Sequence, residues 1–194
     1  MTTQQSPLKI DVDSVIRNRM GSKARRIPRW FTRLIERIIR QDDLNGILQR
    51  TAGLEGAAFC NGVLNDLDIT YTVEGVLPDP TRRNVIIVSN HPLGALDGIT
   101  LIDWATKYYG HEVRFMVNDL LMAVDPLKPV FVPVNKFGRQ DRGAAQSLDE
   151  ILADHETPLI IFPAGLCSRK LSGRIADLPW KKTFVSRAAE SHRD

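Results

Sequence analysis

Four short apolar runs constrain the fold of this chain more than any other feature: Asn84-Val-Ile-Ile-Val-Ser, Val113-Arg-Phe-Met-Val, Val130-Phe-Val-Pro-Val and Leu159-Ile-Ile-Phe. They are β-branched and almost continuously apolar, the pattern of strands covered on both faces. Helical patterns separate them at about Ile99–Tyr109, Leu120–Ala123 and Ala144–Ala153. Strands alternating with helices predict an α/β fold, a central and mostly parallel sheet flanked by helices. Upstream, Asp68-Ile-Thr-Tyr-Thr-Val alternates like a half-exposed strand, and Gly75 to Thr81 reads as a loop with two prolines. Asn45 to about Asp66 reads as one or two helices broken near Gly53 and Gly56, and residues 1–9 as a loose end. The expected organisation is therefore an N-terminal helical segment, residues 1–66, ahead of an α/β domain, residues 67–194. A chain of 194 residues can bury one substantial core.

The positive charge is unevenly spread along the chain. Between Arg17 and Arg40 there are nine basic residues and a single acid, Glu36, although the net charge of the whole chain is only +3. From Ile27 to Arg40 the pattern is helical, with Pro28 suited to a first turn. At 100° per residue, Ile27, Trp30, Phe31, Leu34, Ile35, Ile38 and Ile39 fall on one side, and Arg29, Arg33, Arg37 and Arg40 on the other. Such a helix fits a membrane interface, its arginines facing anionic headgroups. It equally fits a helix packed on a core with a solvated basic face. A nucleic-acid role is disfavoured, because the basic block rides on an amphipathic helix and no recognised binding motif accompanies it. No apolar stretch approaches the ~20 residues needed to cross a bilayer. The first residues show no secretory pattern. Cys60 and Cys167 suggest neither a disulfide framework nor a metal site, so a reducing cytoplasm is the expected compartment.

In parallel sheets, ligands gather at the loops beyond the carboxyl ends of the strands. Here those loops are Asn90–Gly98, Asn135–Arg142 and Pro163–Gly173. The first contains His91, directly after a buried strand, and Asp97. A neutral imidazole can take a proton from a hydroxyl, and a carboxylate on its other nitrogen fixes the tautomer. Gly94 and Gly98 let the backbone curl so that the two side chains can meet. The same pair could instead be structural. His111, His155 and His192 have no comparable setting and read as surface residues. The absence of a Gly-x-Ser-x-Gly elbow disfavours a serine hydrolase.

Asn90-His-Pro-Leu-Gly-Ala-Leu-Asp-Gly resembles the first signature of the glycerolipid acyltransferase superfamily, which includes the 1-acylglycerol-3-phosphate acyltransferases. The usual spacing has four residues between His and Asp, and here there are five, as in the hemolysin-like or ornithine- and glycine-lipid O-acyltransferase branch. Phe131-Val-Pro-Val-Asn-Lys-Phe-Gly-Arg resembles the second block, placing Lys136 where a basic residue holds the acceptor's anionic group, with Arg139 and Arg142 following. Phe162-Pro-Ala-Gly-Leu-Cys-Ser-Arg-Lys resembles the third block, matching at Phe162, Pro163, Gly165 and Ser168. There Ala164 and Leu166 replace a Glu and a Thr, while Arg169 and Lys170 supply charge slightly later. Trp180-Lys-Lys-Thr-Phe also resembles the amino-acid-lipid branch.

The resemblance implies an O-acyltransferase domain over residues 67–194 that lacks the family's last strands, either as a fragment or through their loss. It implies His91 as general base and Asp97 as its partner, with Asn90, Lys136, Arg139, Phe162, Gly165, Ser168, Arg169 and Lys170 binding substrate. Oxyanion donors are expected among backbone N–H groups around Gly94 or Gly165. It implies acyl carrier protein or acyl-CoA as co-substrate, without metal or resident cofactor. The acceptor is a lyso-lipid, by preference a lyso-amino-acid lipid. The expected location is the cytoplasmic face of an anionic membrane, bound peripherally. Lysophosphatidate acylation and a non-catalytic membrane-bound remnant are the alternatives.

Overall fold

The computed structural model describes residues 9, 11–20, 28–38, 40–134, 149–171 and 173–194. The chain divides into two compact units, Met1–Gly53 and Leu54–Asp194.

The first unit contains α1 (Val12–Met20), α2 (Arg29–Ile38) and α3 (Gln41–Arg50). Asp11 caps α1 by accepting hydrogen bonds from the Ser14 N–H at 3.1 Å and the Ser14 hydroxyl at 2.9 Å. Those bonds hold its carboxyl below the usual range. The helix expected over Ile27–Arg40 covers Arg29–Ile38. Arg40 lies beyond it, in the left-handed conformation (φ 53°), and leads into α3 while pairing with Asp43. Arg33 and Arg37 are exposed, as the wheel places them, and Thr32 at the edge of the apolar side is buried. Most of the expected loose end, residues 1–9, lies outside the described residues.

The second unit opens with α4 (Gly56–Asp66), separated from α3 by a turn through Gly53, close to the expected break. Then come β1 (Ile86–Val88), α5 (Ala95–Tyr109), β2 (Arg114–Asn118) and two 3-10 turns, Asp119–Ala123 and Asp125–Leu127. They lead into β3 (Phe131–Val134), a helical stretch at 149–153 (α6) and β4 (Leu159–Ile161). A hairpin follows, β5 (Arg169–Leu171) with β6 (Arg174–Ala176), and then α7 (Thr183–Glu190). The earlier part of the helix expected from Ala144 lies outside the described residues. All four expected strands form, every pairing between them is parallel, and their order is β1-β4-β2-β3. Only β4 is buried along its whole length, while β1 is half-buried throughout and β2 alternates between buried and half-buried residues.

Covering on both faces accounts for the run that forms β4, which is buried throughout. Val132, Leu159 and Ile161 point to one side, against Leu152 and Ile151 of α6 and Phe184 of α7. Phe115 points to the other side, towards Gly98 of α5, while α5 also packs on α4. Gly98 is needed there: a Cβ on it would lie 2.7 Å from the Phe115 ring. Arg193 is buried and donates to the carbonyls of Thr157 (2.9 Å) and Ile151 (2.7 Å), among others, tying the chain after α7 to the loop before β4. Asp194 continues that tie along β1. Its N–H donates to Asn84 O at 3.0 Å, and its carbonyl accepts from the Ile86 N–H at 2.9 Å, the step of a parallel ladder.

Asp68 to Val73, expected as a strand, joins no ladder. The segment is held from the side instead. The Tyr71 hydroxyl donates to Asp103 Oδ2 at 2.7 Å, and the Ile69 N–H to Leu64 O at 2.9 Å. Asp103, almost wholly buried on α5, also accepts from Asn61 Nδ2 at 3.1 Å and pairs with Lys107 at 2.7 Å. The alternation of residues 68–73 therefore reflects packing beside α4 and α5 rather than sheet pairing. Burial, with Asp103 nearby, pushes the neighbouring Cys60 thiol up to about 12.

Candidate active site

Strand order decides which loops meet. β1 and β4 are neighbours with Val88 opposite Ile161, so the loops leaving their carboxyl ends emerge side by side. These loops carry His91 and the segment Phe162–Ser168. The Ser168 N–H donates to His91 O at 2.8 Å and joins them directly.

Gly94 turns the chain after His91 with φ 71°, and α5 starts at Ala95. The helix begins earlier than the expected Ile99, which places Asp97 in its first turn rather than in a loop. A carboxylate is electrostatically suited to that end of a helix. Asp97 Oδ2 accepts the Leu93 N–H at 2.8 Å and lies 3.0 Å from His91 Nδ1. With Nδ1 carrying the proton towards Asp97, Nε2 presents its lone pair, the arrangement of a general base and its orienting acid. The two side chains are 17% and 12% exposed, sheltered yet reachable.

A column of rings fixes the imidazole. Phe162 stacks on His91 with centroids 4.0 Å apart and planes 20° from parallel. Phe115 meets Phe162 edge-on at 5.2 Å, and Phe131 meets Phe115 at 5.9 Å. Phe162 therefore supports the His91 imidazole on one face. The turn after it is built by Pro163 and closed by the Gly165 N–H donating to Phe162 O at 2.9 Å. Ala164 is buried, so the position where the superfamily carries a carboxylate is apolar here.

A further carboxylate joins the site, and the sequence pattern does not announce it. Asp177, just after β6, accepts from the Ser168 hydroxyl, from Trp180 Nε1 at 3.0 Å and from the His91 N–H at 3.4 Å. The Ser168 bond, followed by that of Trp180, holds its carboxyl below the usual range. Asp177 thus ties the foot of the hairpin to the backbone of His91. In the sequence it is a lone Asp with no motif around it.

Of the residues expected at the site, His91, Asp97, Phe162 and Ser168 are brought together. Asn90 is adjacent but exposed, with Ser89 Oγ 3.3 Å from its Oδ1. Arg169 and Lys170 lie on exposed β5, directly after Ser168. Lys136, Arg139 and Arg142 lie outside the described residues. Among the described residues, no three His, Cys, Asp or Glu side chains are grouped to hold a metal ion.

Residues 14–194 match the family model described as Acyltransferase. Over 192 residues the chain is 38% identical to a lyso-glycine lipid O-acyltransferase of Phocaeicola vulgatus, covering 99% of this chain and 68% of that one. It is 35% identical to a lyso-glycine lipid O-acyltransferase of Bacteroides thetaiotaomicron, covering 99% of this chain and 70% of that one. No solved structure matches.

Proposed function

Because the chain belongs to the acyltransferase family, we propose that it moves a fatty acyl group from acyl carrier protein or acyl-CoA onto the hydroxyl of a lyso-amino-acid lipid, with His91 as general base. The observation that carries this reading is the His91–Asp97 contact at 3.0 Å, on an imidazole stacked against Phe162 at the carboxyl ends of β1 and β4.

His91 Nε2 takes the proton of the acceptor hydroxyl as its oxygen attacks the thioester carbonyl carbon. The tetrahedral intermediate collapses with loss of the C–S bond, and the imidazolium returns the proton to the departing thiolate. Asp97 holds the imidazolium while it exists. Of the two candidate sources of oxyanion donors, the Gly165 N–H is engaged by Phe162 O. At the start of α5 the Asp97 N–H is likewise engaged, by Gly94 O at 3.1 Å, so the N–H groups of Gly94, Ala95 and Leu96 are the proposed donors. No acyl-enzyme is required, and Cys167 has no role in this scheme.

The acceptor follows from the third block and from the relatives' activity. With Ala164 buried and apolar and Leu166 exposed, the segment has fewer groups to bind a glycerol phosphate. Arg169 and Lys170 still suit the carboxylate of an N-acylated glycine or ornithine. Purified protein given labelled acyl carrier protein and equal amounts of lyso-glycine lipid and lysophosphatidate tests the choice. The amino-acid lipid is expected to be consumed faster, and faster consumption of lysophosphatidate overturns it.

The protein works peripherally at the cytoplasmic face of an anionic membrane, held in part by α2. Among the described residues no helix is long and apolar enough to cross a bilayer. Arg33 and Arg37 are exposed on α2, and a basic side chain near such a surface is worth about 1 kcal/mol. Replacing both with Gln, or raising the salt, is expected to release protein from vesicles rich in phosphatidylglycerol. Equal binding to neutral vesicles refutes the electrostatic part.

A further inference from the structure

The β5–β6 hairpin leaves the candidate active site at Ser168 and returns to it at Asp177, and all six of its strand residues are exposed. An isolated two-stranded hairpin is marginal in water, and exposed apolar residues concentrated beside a functional site commonly mark a contact surface. Ile175 is 75% exposed and stands opposite Lys170, while Leu171 stands opposite Arg174. Trp180 is exposed just after the hairpin, and Leu93, two residues past the base, is 67% exposed. Arg174, Lys181 and Lys182 add positive charge. Asp177, the one acid between Leu166 and Lys182, is occupied by Ser168 and Trp180.

We propose that this hairpin enters an anionic lipid surface and brings the mouth of the His91 site to the layer from which the acceptor is drawn. Ile175 and Leu93 go into the acyl boundary, Trp180 lies at the headgroup level, and Lys170 beside Ile175, with Arg174, Lys181 and Lys182, meets phosphates. An acidic carrier protein would satisfy the positive charge but would leave Ile175 and Leu93 wet. A lipid surface satisfies both the charge and the apolar groups. The contact belongs to the catalytic unit and is separate from the one assigned to α2.

The choice of a lipid partner rests on the acyl-transfer reading above. The test needs no turnover, so its failure and a failed transfer assay are separate results. In the full chain, Ile175→Cys in a Cys167→Ser background carries an environment-sensitive nitrobenzoxadiazole label. Vesicles of roughly equal parts phosphatidylglycerol and phosphatidylcholine are then added. The same label on Val76→Cys is the control. Val76 is fully exposed, close to Pro78, whose carbonyl accepts from Tyr108 at the end of α5 remote from Asp97. Emission at position 175 is expected to move to the blue and to be quenched by brominated lipid, while position 76 stays water-like.

Unlabelled Ile175→Glu, with an unchanged circular dichroism spectrum, is expected to lose about tenfold in vesicle affinity. Arg174→Gln is expected to lose about fivefold, an effect that salt removes. A water-like label at position 175 on vesicle-bound protein overturns the proposal, and so does an absence of vesicle binding. A label that responds to acyl carrier protein in vesicle-free solution and not to lipid also overturns it, and gives the surface to the carrier.

Discussion

Replacing Gly98 with Ala tests whether the aromatic column holds the base in place. Gly98 is in the first half of α5, directly after Asp97, and an added methyl would lie 2.7 Å from Phe115 Cε1 and 3.3 Å from its Cζ. Phe115 cannot easily withdraw. It is 6% exposed, with Phe131 at 5.9 Å and Phe162 at 5.2 Å. In an unobstructed helix, Gly→Ala stabilises by about 0.8–1.0 kcal/mol. Overpacking a core of this kind costs about 1–3 kcal/mol. The clash outweighs the propensity gain, for a net loss of about 1 kcal/mol and a Tm roughly 2–4 °C lower. The displaced Phe115 pushes on Phe162, on which His91 stacks at 4.0 Å, so kcat is expected to fall by about tenfold or more.

Thermal unfolding and acyl transfer on the same preparations measure both effects. A second substitution, Phe115→Leu, makes room for the methyl. The pair is expected to be more stable than the sum of the single losses by at least about 0.5 kcal/mol. A Gly98→Ala protein with a raised Tm and unchanged kcat refutes the reasoning. One that melts lower yet keeps its kcat breaks the link from Phe115 to the base.

His91→Ala is expected to lower acyl transfer by about 100- to 10,000-fold while leaving Tm nearly unchanged, and a folded mutant keeping more than about a tenth of the rate removes His91 from the mechanism. Asp97→Asn is expected to lose less, because stacking on Phe162 still orients the ring; an unchanged rate shows that the 3.0 Å contact has no part in turnover. Asp177→Ala frees Ser168 and Trp180, so hydrogen exchange at the Ser168 and hairpin amides is expected to quicken while Tm, governed by the central sheet, shifts by less than about 3 °C. Since those bonds lower the folded pKa of Asp177, its stabilising contribution is present above the ordinary carboxylate value near 3.9 and is lost as pH falls through the folded one. Carboxyl chemical shifts followed against pH check the direction, and a midpoint above the ordinary value contradicts it.

What this chain's sequence determined by itself was what depends on neighbours along the chain. Continuous apolar runs identified all four strands of the sheet, although only β4 is buried along its whole length, where covering on both faces removes the polar alternation. Gly53 and Gly56 marked the break between α3 and α4, since both adopt positive φ (85° and 54°). The placement of a histidine immediately after an apolar run put His91 at the edge of the sheet. Contacts between distant segments decided the rest. Asp68 to Val73 alternates like a strand, yet Tyr71 binds Asp103 on α5, a competition that local periodicity cannot register. The start of α5 at Ala95, and hence the position of Asp97, follows from the turn at Gly94. The β5–β6 hairpin has strands of only three residues, exposed throughout, too short for a hydrophobic period to reveal it, and Asp177 is hidden with it. Above all, the order β1-β4-β2-β3 brings His91 beside Phe162 and Ser168 across some 70 residues of sequence. No local preference encodes that meeting, because inserting β4 between β1 and β2 is a choice made by packing the whole sheet.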